Sequence, residues 1–161
     1  MDGEERDVAP TVASAGHFNH PARSEPPAFA CKHNLNYWRG RFFYGLGPSA
    51  TSYVRGVRTV NWANTRLYCE QLEKDRRPIQ FVESLPPPRR AGETAAFGLR
   101  MVAGWSFEEF EQTTGFDLRA GWSAEMDELD RRGWGRRDEQ RFQLTRTGLR
   151  FADAAAEMFL R

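Results

Sequence analysis

From residue 90 onward the apolar positions recur at helical spacing. Ala95, Leu99 and Val102 share one face. Ser106-Phe107-Glu108-Glu109 has the form of a capping box opening a short helix, with Phe107 and Phe110 turned inward and Gly115 as its stop. Asp117 is placed to cap the next helix, over 117–132, whose buried stripe is Leu118, Trp122, Met126 and Leu129. Gly133 and Gly135 close it. Trp134 to Leu144 reads as a hairpin with its tip at Arg137-Asp138-Glu139-Gln140, and Thr145 caps a last helix carrying Leu149, Ala152, Ala156 and Phe159 on one side. Helices, a hairpin and a final helix in this order predict a small, mostly helical winged-helix domain over 86–161.

The preceding half has a different pattern. Aromatics crowd residues 31–62: Tyr37, Trp38, Phe42, Phe43, Tyr44, Tyr53 and Trp62. Phe42-Phe43-Tyr44-Gly45-Leu46-Gly47 reads as a buried strand ending in a glycine turn. Residues 52–61 read as a short hairpin, with Tyr53, Val57 and Val60 as β-formers and Gly56 at the turn. Residues 62–76 read as a helix burying Trp62, Leu67 and Leu72. Leu85-Pro86-Pro87-Pro88-Arg89-Arg90 reads as a turn or polyproline linker and marks a boundary. Residues 1–30, punctuated by Pro10, Pro21, Pro26 and Pro27, bury too little apolar area to offset their ordering entropy and are expected to be disordered. The expected fold class is α+β: a disordered-like 1–30, a strand and hairpin segment over 31–85, and the winged helix.

Composition narrows the function. The chain has 161 residues, 23 basic and 22 acidic side chains and a net charge of +1, which argues against a polybasic nucleic-acid binder and an acidic tail. No apolar run reaches the roughly 18 residues of a membrane span, and the N-terminus lacks the layout of a signal peptide, so a cytoplasmic protein is expected. Two cysteines, Cys31 and Cys69, exclude a disulfide scaffold, a four-cysteine metal site and a self-contained three-cysteine iron–sulfur motif.

Chemistry concentrates near residue 33. In Cys31-Lys32-His33-Asn34-Leu35-Asn36-Tyr37-Trp38 an imidazole stands beside large aromatic faces, an environment suited to a flat metal-bearing ligand such as heme, and equally to ordinary core packing. His17-x-x-His20 with Cys31-x-His33 offers a four-ligand zinc alternative. Gly45-Leu46-Gly47-Pro48-Ser49-Ala50 is a turn that can bring backbone N–H groups to a cofactor or serve only as a tight structural turn; it is neither a Walker loop nor a dinucleotide fingerprint. Seven arginines, Arg131, Arg132, Arg136, Arg137, Arg141, Arg146 and Arg150, outnumber Asp130, Asp138 and Glu139 around the wing. That excess suits phosphates or simply a solvated face. The acidic 117–132 helix, with Glu125, Asp127, Glu128 and Asp130, works against DNA. No catalytic arrangement stands out.

Three segments together carry a resemblance. His33-Asn34-Leu35-Asn36-Tyr37-Trp38, then Tyr44-Gly45-Leu46-Gly47-Pro48-Ser49-Ala50-Thr51-Ser52-Tyr53, then Arg58, Asn61 and Tyr68 are similar to the C-terminal half of oxygen-independent coproporphyrinogen III oxidase-like radical SAM proteins, closest to the HemW-type heme chaperones. Glu93-Thr94-Ala95-Ala96-Phe97-Gly98-Leu99-Arg100, Leu129, Gly133-Trp134, Leu144-Thr145 and Gly148 resemble that family's small C-terminal domain. The resemblance implies heme binding by His33, Asn34, Tyr37 and Trp38, with His33 as the metal ligand. It places Gly45, Gly47 and Ala50 near the cofactor end of a barrel. Full-length members hold a [4Fe–4S] cluster and S-adenosylmethionine in that barrel; its cluster cysteines are absent here, and only residues 42–47 resemble its last strand. Thr51 stands where relatives usually have histidine.

The expectation is therefore a truncated or split segment of such a protein, linked to porphyrin metabolism, binding heme or porphyrin through His33 and without catalysis of its own. A separate barrel subunit or a heme-receiving protein is the implied partner. A winged-helix interaction module and a non-functional remnant are the alternatives.

Overall fold

The computed structural model describes residues 29–160. The disordered-like 1–30 segment lies almost entirely outside them, as do His17 and His20 of the zinc reading.

The first element is α1 (Lys32–Trp38), which ends at Gly40 with φ +63°. Residues 41–50 come next, and then a meander. Strands β1 (Thr51–Val54) and β2 (Val57–Asn61) pair antiparallel around Arg55 and Gly56, at φ +52° and +83°. Two consecutive positive φ values give the two-residue turn whose twist matches a hairpin, and glycine supplies one of them without strain. Helix α2 (Thr65–Glu73), capped by Asn64 accepting from the Leu67 amide, leads to β3 (Ile79–Ser84), which pairs antiparallel with β2.

Two expectations fail here. Residues 42–47 do not form a buried strand: Phe43 alone bridges to Tyr53, while Phe42, Tyr44 and Leu46 are 55%, 76% and 90% exposed. Among the described residues β1 is the one strand that bridges to this segment, through Phe43 alone, so no sheet covers Phe42, Tyr44 and Leu46. The expected helix exists, but none of its residues is buried: Trp62 precedes it and is half-buried, as is Leu67, and Leu72 lies in solvent. The sequence pattern predicts no element over 77–84, where β3 forms.

The Leu85–Arg90 linker is also corrected. Pro86 is the N-cap of α3 (Pro87–Gly98), with proline in its first turn, where the missing N–H is no loss and φ is already helical. The chain continues through β4 (Trp105–Ser106), α4 (Phe107–Thr114), α5 (Leu118–Gly121), α6 (Ser123–Arg131), β5 (Gly135–Arg137) and β6 (Arg141–Leu144). A 3-10 turn (Gly148–Phe151) then runs into α7 (Ala152–Phe159). The sheet order β4-β6-β5, with helices before and after β4 and a hairpin behind, is the winged-helix arrangement that the spacing predicts.

The caps act as expected, with refinements. Ser106 accepts from the Glu109 amide, Gly115 ends α4 at φ +79°, and Asp117 accepts from the Arg119 amide. The 117–132 helix is broken at Trp122 into α5 and α6, yet Leu118, Trp122, Met126 and Leu129 are all buried. Thr145 accepts from the Gly148 amide and so opens the 3-10 turn before α7. Val102 is 76% exposed because α3 ends at Gly98 and the helical spacing stops with it.

The core is one cluster built from Ala91 to Phe159. Trp105, Phe110 and Trp122 meet edge to face at 5.4 and 5.8 Å, a geometry worth about 0.5–1.5 kcal/mol per pair beyond burial. The Trp122 indole N–H donates to the Phe159 carbonyl. Every buried hydrophobic residue among those described lies in this half, so the 51–84 sheet has no buried apolar core of its own.

Candidate functional site

Helix α1 carries the predicted ligand residues but divides them between two sides. His33 and Tyr37, four residues apart, sit one above the other, their rings edge to face with centroids 4.8 Å apart. His33 and Asn34 are exposed. Trp38 is half-buried and, with Leu35, packs against the C-terminal core. The structure thus brings His33 and Tyr37 together and turns Trp38 toward the winged helix. From Tyr37 the aromatic row continues to Phe43 at 4.3 Å and on to Tyr53 at 6.2 Å.

The glycine turn is tied into the fold. The Gly45 amide donates to the Ser52 hydroxyl at 2.9 Å, the Gly47 amide to the Tyr68 hydroxyl at 3.3 Å, and the Ala50 amide to the Gly47 carbonyl at 3.4 Å. Asn61, 8% exposed, donates its side-chain amide to the Gly47 carbonyl at 3.0 Å. A Cβ on Gly45 would collide with the Thr51 backbone. Asn61 and Tyr68, two residues of the resemblance, are therefore what holds this turn in shape.

Between α1, the β1–β2 hairpin and α3 lies a cavity of about 380 Å³. Tyr37, Phe43, Tyr53 and Phe97 give it aromatic walls, and Thr51, the residue standing in for the usual histidine, lines it too. Arg58 crosses one side, placing one guanidinium nitrogen 2.6 Å from Glu83 and another 2.6 Å from Glu93. This clamp ties β2 and β3 to α3. Burial pushes the Tyr53 phenol above its ordinary value, with Arg90 pulling the other way, so the hydroxyl stays protonated at neutral pH. Arg90 also lines the cavity, its guanidinium occupying the space where a side chain on Gly56 would stand.

Sequence reasoning misses this cavity. Arg90, Glu93, Thr94 and Phe97 occupy positions i, i+3, i+4 and i+7 of one helix face. That signal is hidden when 85–90 is taken as a linker rather than as the start of a helix.

Three of the seven clustered arginines form internal ion pairs. Arg131 and Arg132 both engage Glu128, and Arg137 reaches Asp127 at 2.6 Å. Arg132 also lies over the Trp134 ring. Among the described residues no group of three or more histidine, cysteine or acidic side chains is placed to hold a metal ion. Cys31 and Cys69 are exposed free thiols, and two thiols do not make a three-cysteine cluster set, so no iron–sulfur chemistry is assigned to them.

Residues 85–151 match the family model described as HemN C-terminal domain. Over those residues the chain is similar to the HemN C-terminal domain. Similarity extends upstream of that domain. Heme chaperone HemW of Lactococcus lactis subsp. lactis (strain IL1403) is 28% identical over 134 residues, 83% of this chain and 35% of the relative. HemW of Bacillus subtilis (strain 168) is 28% identical over 73% of this chain and 31% of the relative, and HemW of Synechocystis sp. is 37% identical over 48% and 19%. The solved structure of coproporphyrinogen III oxidase (HemN) from Escherichia coli, a radical SAM enzyme, superposes with a TM-score of 0.59 at 16% identity, over 74% of this chain and 28% of that one. The chain thus matches a C-terminal fragment of these proteins and spans about a third of the length of the first two relatives. The matched residues 85–151 make up most of the winged helix described above, and the α1–β3 region precedes them. No helix among the described residues is long and apolar enough to cross a membrane.

Proposed function

We propose that this chain binds heme or a related porphyrin through His33, as the C-terminal part of a HemW-like protein. The observation that carries the reading is the exposed His33 imidazole set against Tyr37 at the outer end of the aromatic row. Relatives over the same region are named heme chaperones. One accessible imidazole suffices as an axial ligand to heme iron, and flanking rings cover the macrocycle. In this reading Asn34 lies beside the ligand and Trp38 fixes the helix to the winged helix. The chain supplies binding and orientation and performs no chemistry alone.

A partner completes the reading. Phe42, Tyr44, Leu46, Phe81 and Val82 are exposed around the small sheet, apolar side chains that a barrel subunit or the protein that receives the heme would cover. The working compartment is the cytoplasm.

Hemin titration tests the assignment. The wild-type chain should give a Soret band that His33→Ala shifts or abolishes. Equal Soret changes in a folded wild type and His33→Ala would refute it.

A further inference from the structure

The cavity behind Tyr37 has a chemistry that the His33 reading does not use. Its aromatic walls suit a flat apolar body, whereas its charged side chains are unevenly matched. Arg58 is neutralised by two carboxylates at 2.6 Å each. Arg90 makes no ion pair with any described acidic residue within 4.0 Å, and its guanidinium stands where a side chain on Gly56 would be. Glu93 lies one helical turn along α3 but is directed to Arg58. A guanidinium that lines an aromatic cavity without a carboxylate partner is suited to a ligand carboxylate, which it can meet with two parallel N–H donors.

We propose that this cavity receives the carboxylate-bearing edge of a tetrapyrrole, with Arg90 as the counter-charge to a propionate and Tyr37 and Phe97 as the rim over which the ring plane lies. The inference rests on the tetrapyrrole reading above and deepens it. His33 would set where the metal sits, and Arg90 would set which edge of the macrocycle points inward. Both rim residues are exposed, so the ring can enter without opening the core. The Glu83–Arg58–Glu93 clamp keeps the two walls, hairpin and α3, at a fixed separation.

The probe that separates the two claims is metal-free protoporphyrin, which carries two propionates and no iron. Its binding to the full chain is read from porphyrin fluorescence, beside its dimethyl ester, whose edge is uncharged. Wild type should bind the diacid more tightly than the diester, and added salt should weaken the diacid more. Arg90→Gln should weaken the diacid about tenfold, the size of one charge-assisted contact, and leave the diester unchanged. Arg90→Lys should restore part of the loss. Phe97→Glu, which adds a negative charge at the rim of an intact Arg90 site, should weaken the diacid in the same way. His33→Ala should alter the hemin spectrum, while the preference of metal-free binding for the diacid over the diester persists in that variant. Equal affinity of wild type for diacid and diester, or an Arg90→Gln loss shared equally by both, would overturn the proposal. If hemin spectra prove independent of His33 while the Arg90 pattern holds, the His33 assignment falls and the cavity assignment stands.

Discussion

Replacing Arg58 by methionine should expose how the small sheet is held to the winged helix. Methionine keeps much of the apolar stem but removes the charge and both donors. Two contacts of 2.6 Å are lost, one to Glu83 on β3 and one to Glu93 on α3. A hydrogen bond to a charged group contributes about 1.5–3 kcal/mol when well buried, and an exposed ion pair about 0–1 kcal/mol. Here Arg58, Glu83 and Glu93 keep 29%, 33% and 26% of their side-chain surface in solvent. That places each contact near the lower figure, at about 1 kcal/mol. Deletion also leaves two carboxylates facing the same vacated space, so the total for Arg58→Met should be about 2 kcal/mol. Urea unfolding at low and at 1 M salt is the assay. The loss should shrink at high salt, where the Debye length falls to about 3 Å. A double-mutant cycle with Glu93→Gln should return a coupling of about 0.5–1 kcal/mol. A loss under about 0.3 kcal/mol, or one indifferent to salt and to Glu93, would refute the view that this triad is the main tie between the two parts.

Two further outcomes are expected. Asp117 caps α5, and although burial opposes it, the Arg119 backbone and side chain hold its carboxyl below the ordinary value. A depressed carboxyl stabilises the fold above its unfolded pKa and loses that contribution as pH falls through the folded one. The stability gap between wild type and Asp117→Ala should therefore be full at neutral pH and narrow below about pH 4; a gap that stayed constant to pH 2 would contradict the assignment. Among the described residues, limited proteolysis should cut first within 41–50 and leave 86–160 as the resistant fragment, because the buried apolar cluster is confined to the second half; early loss of the winged helix with 31–62 intact would reverse that assignment.

The winged helix is legible in the sequence because its signals are local and agree with one another. Ser106, Gly115 and Asp117 mark helix ends through their own hydrogen bonds or φ angles, and the 118-122-126-129 spacing survives even where the helix breaks at Trp122. The first half is less legible because its side chains answer to distant partners. Phe42, Tyr44 and Leu46 look like core in the sequence, but burial depends on a neighbour that the pattern cannot supply. The triple proline illustrates the same ambiguity: Pro86 to Pro88 serves a polyproline segment or a helix N-terminus equally well, and here it opens a helix. Taking that start for a linker conceals the face bearing Arg90 and Glu93. The residues of the resemblance fare better. His33 and Tyr37 meet, and Asn61 and Tyr68 prove to be the braces of the glycine turn, a role that only their hydrogen bonds reveal.

The confinement of the buried apolar side chains to the second half has a calorimetric consequence. The heat-capacity increase on unfolding tracks exposed apolar area, so the winged helix should carry nearly all of it. The three-stranded meander, joined to it largely through charge, should detach with little change in heat capacity. Warming and cooling would then act unequally on one chain: the curved stability profile belongs to the winged helix, while the grip on the meander varies only gently with temperature.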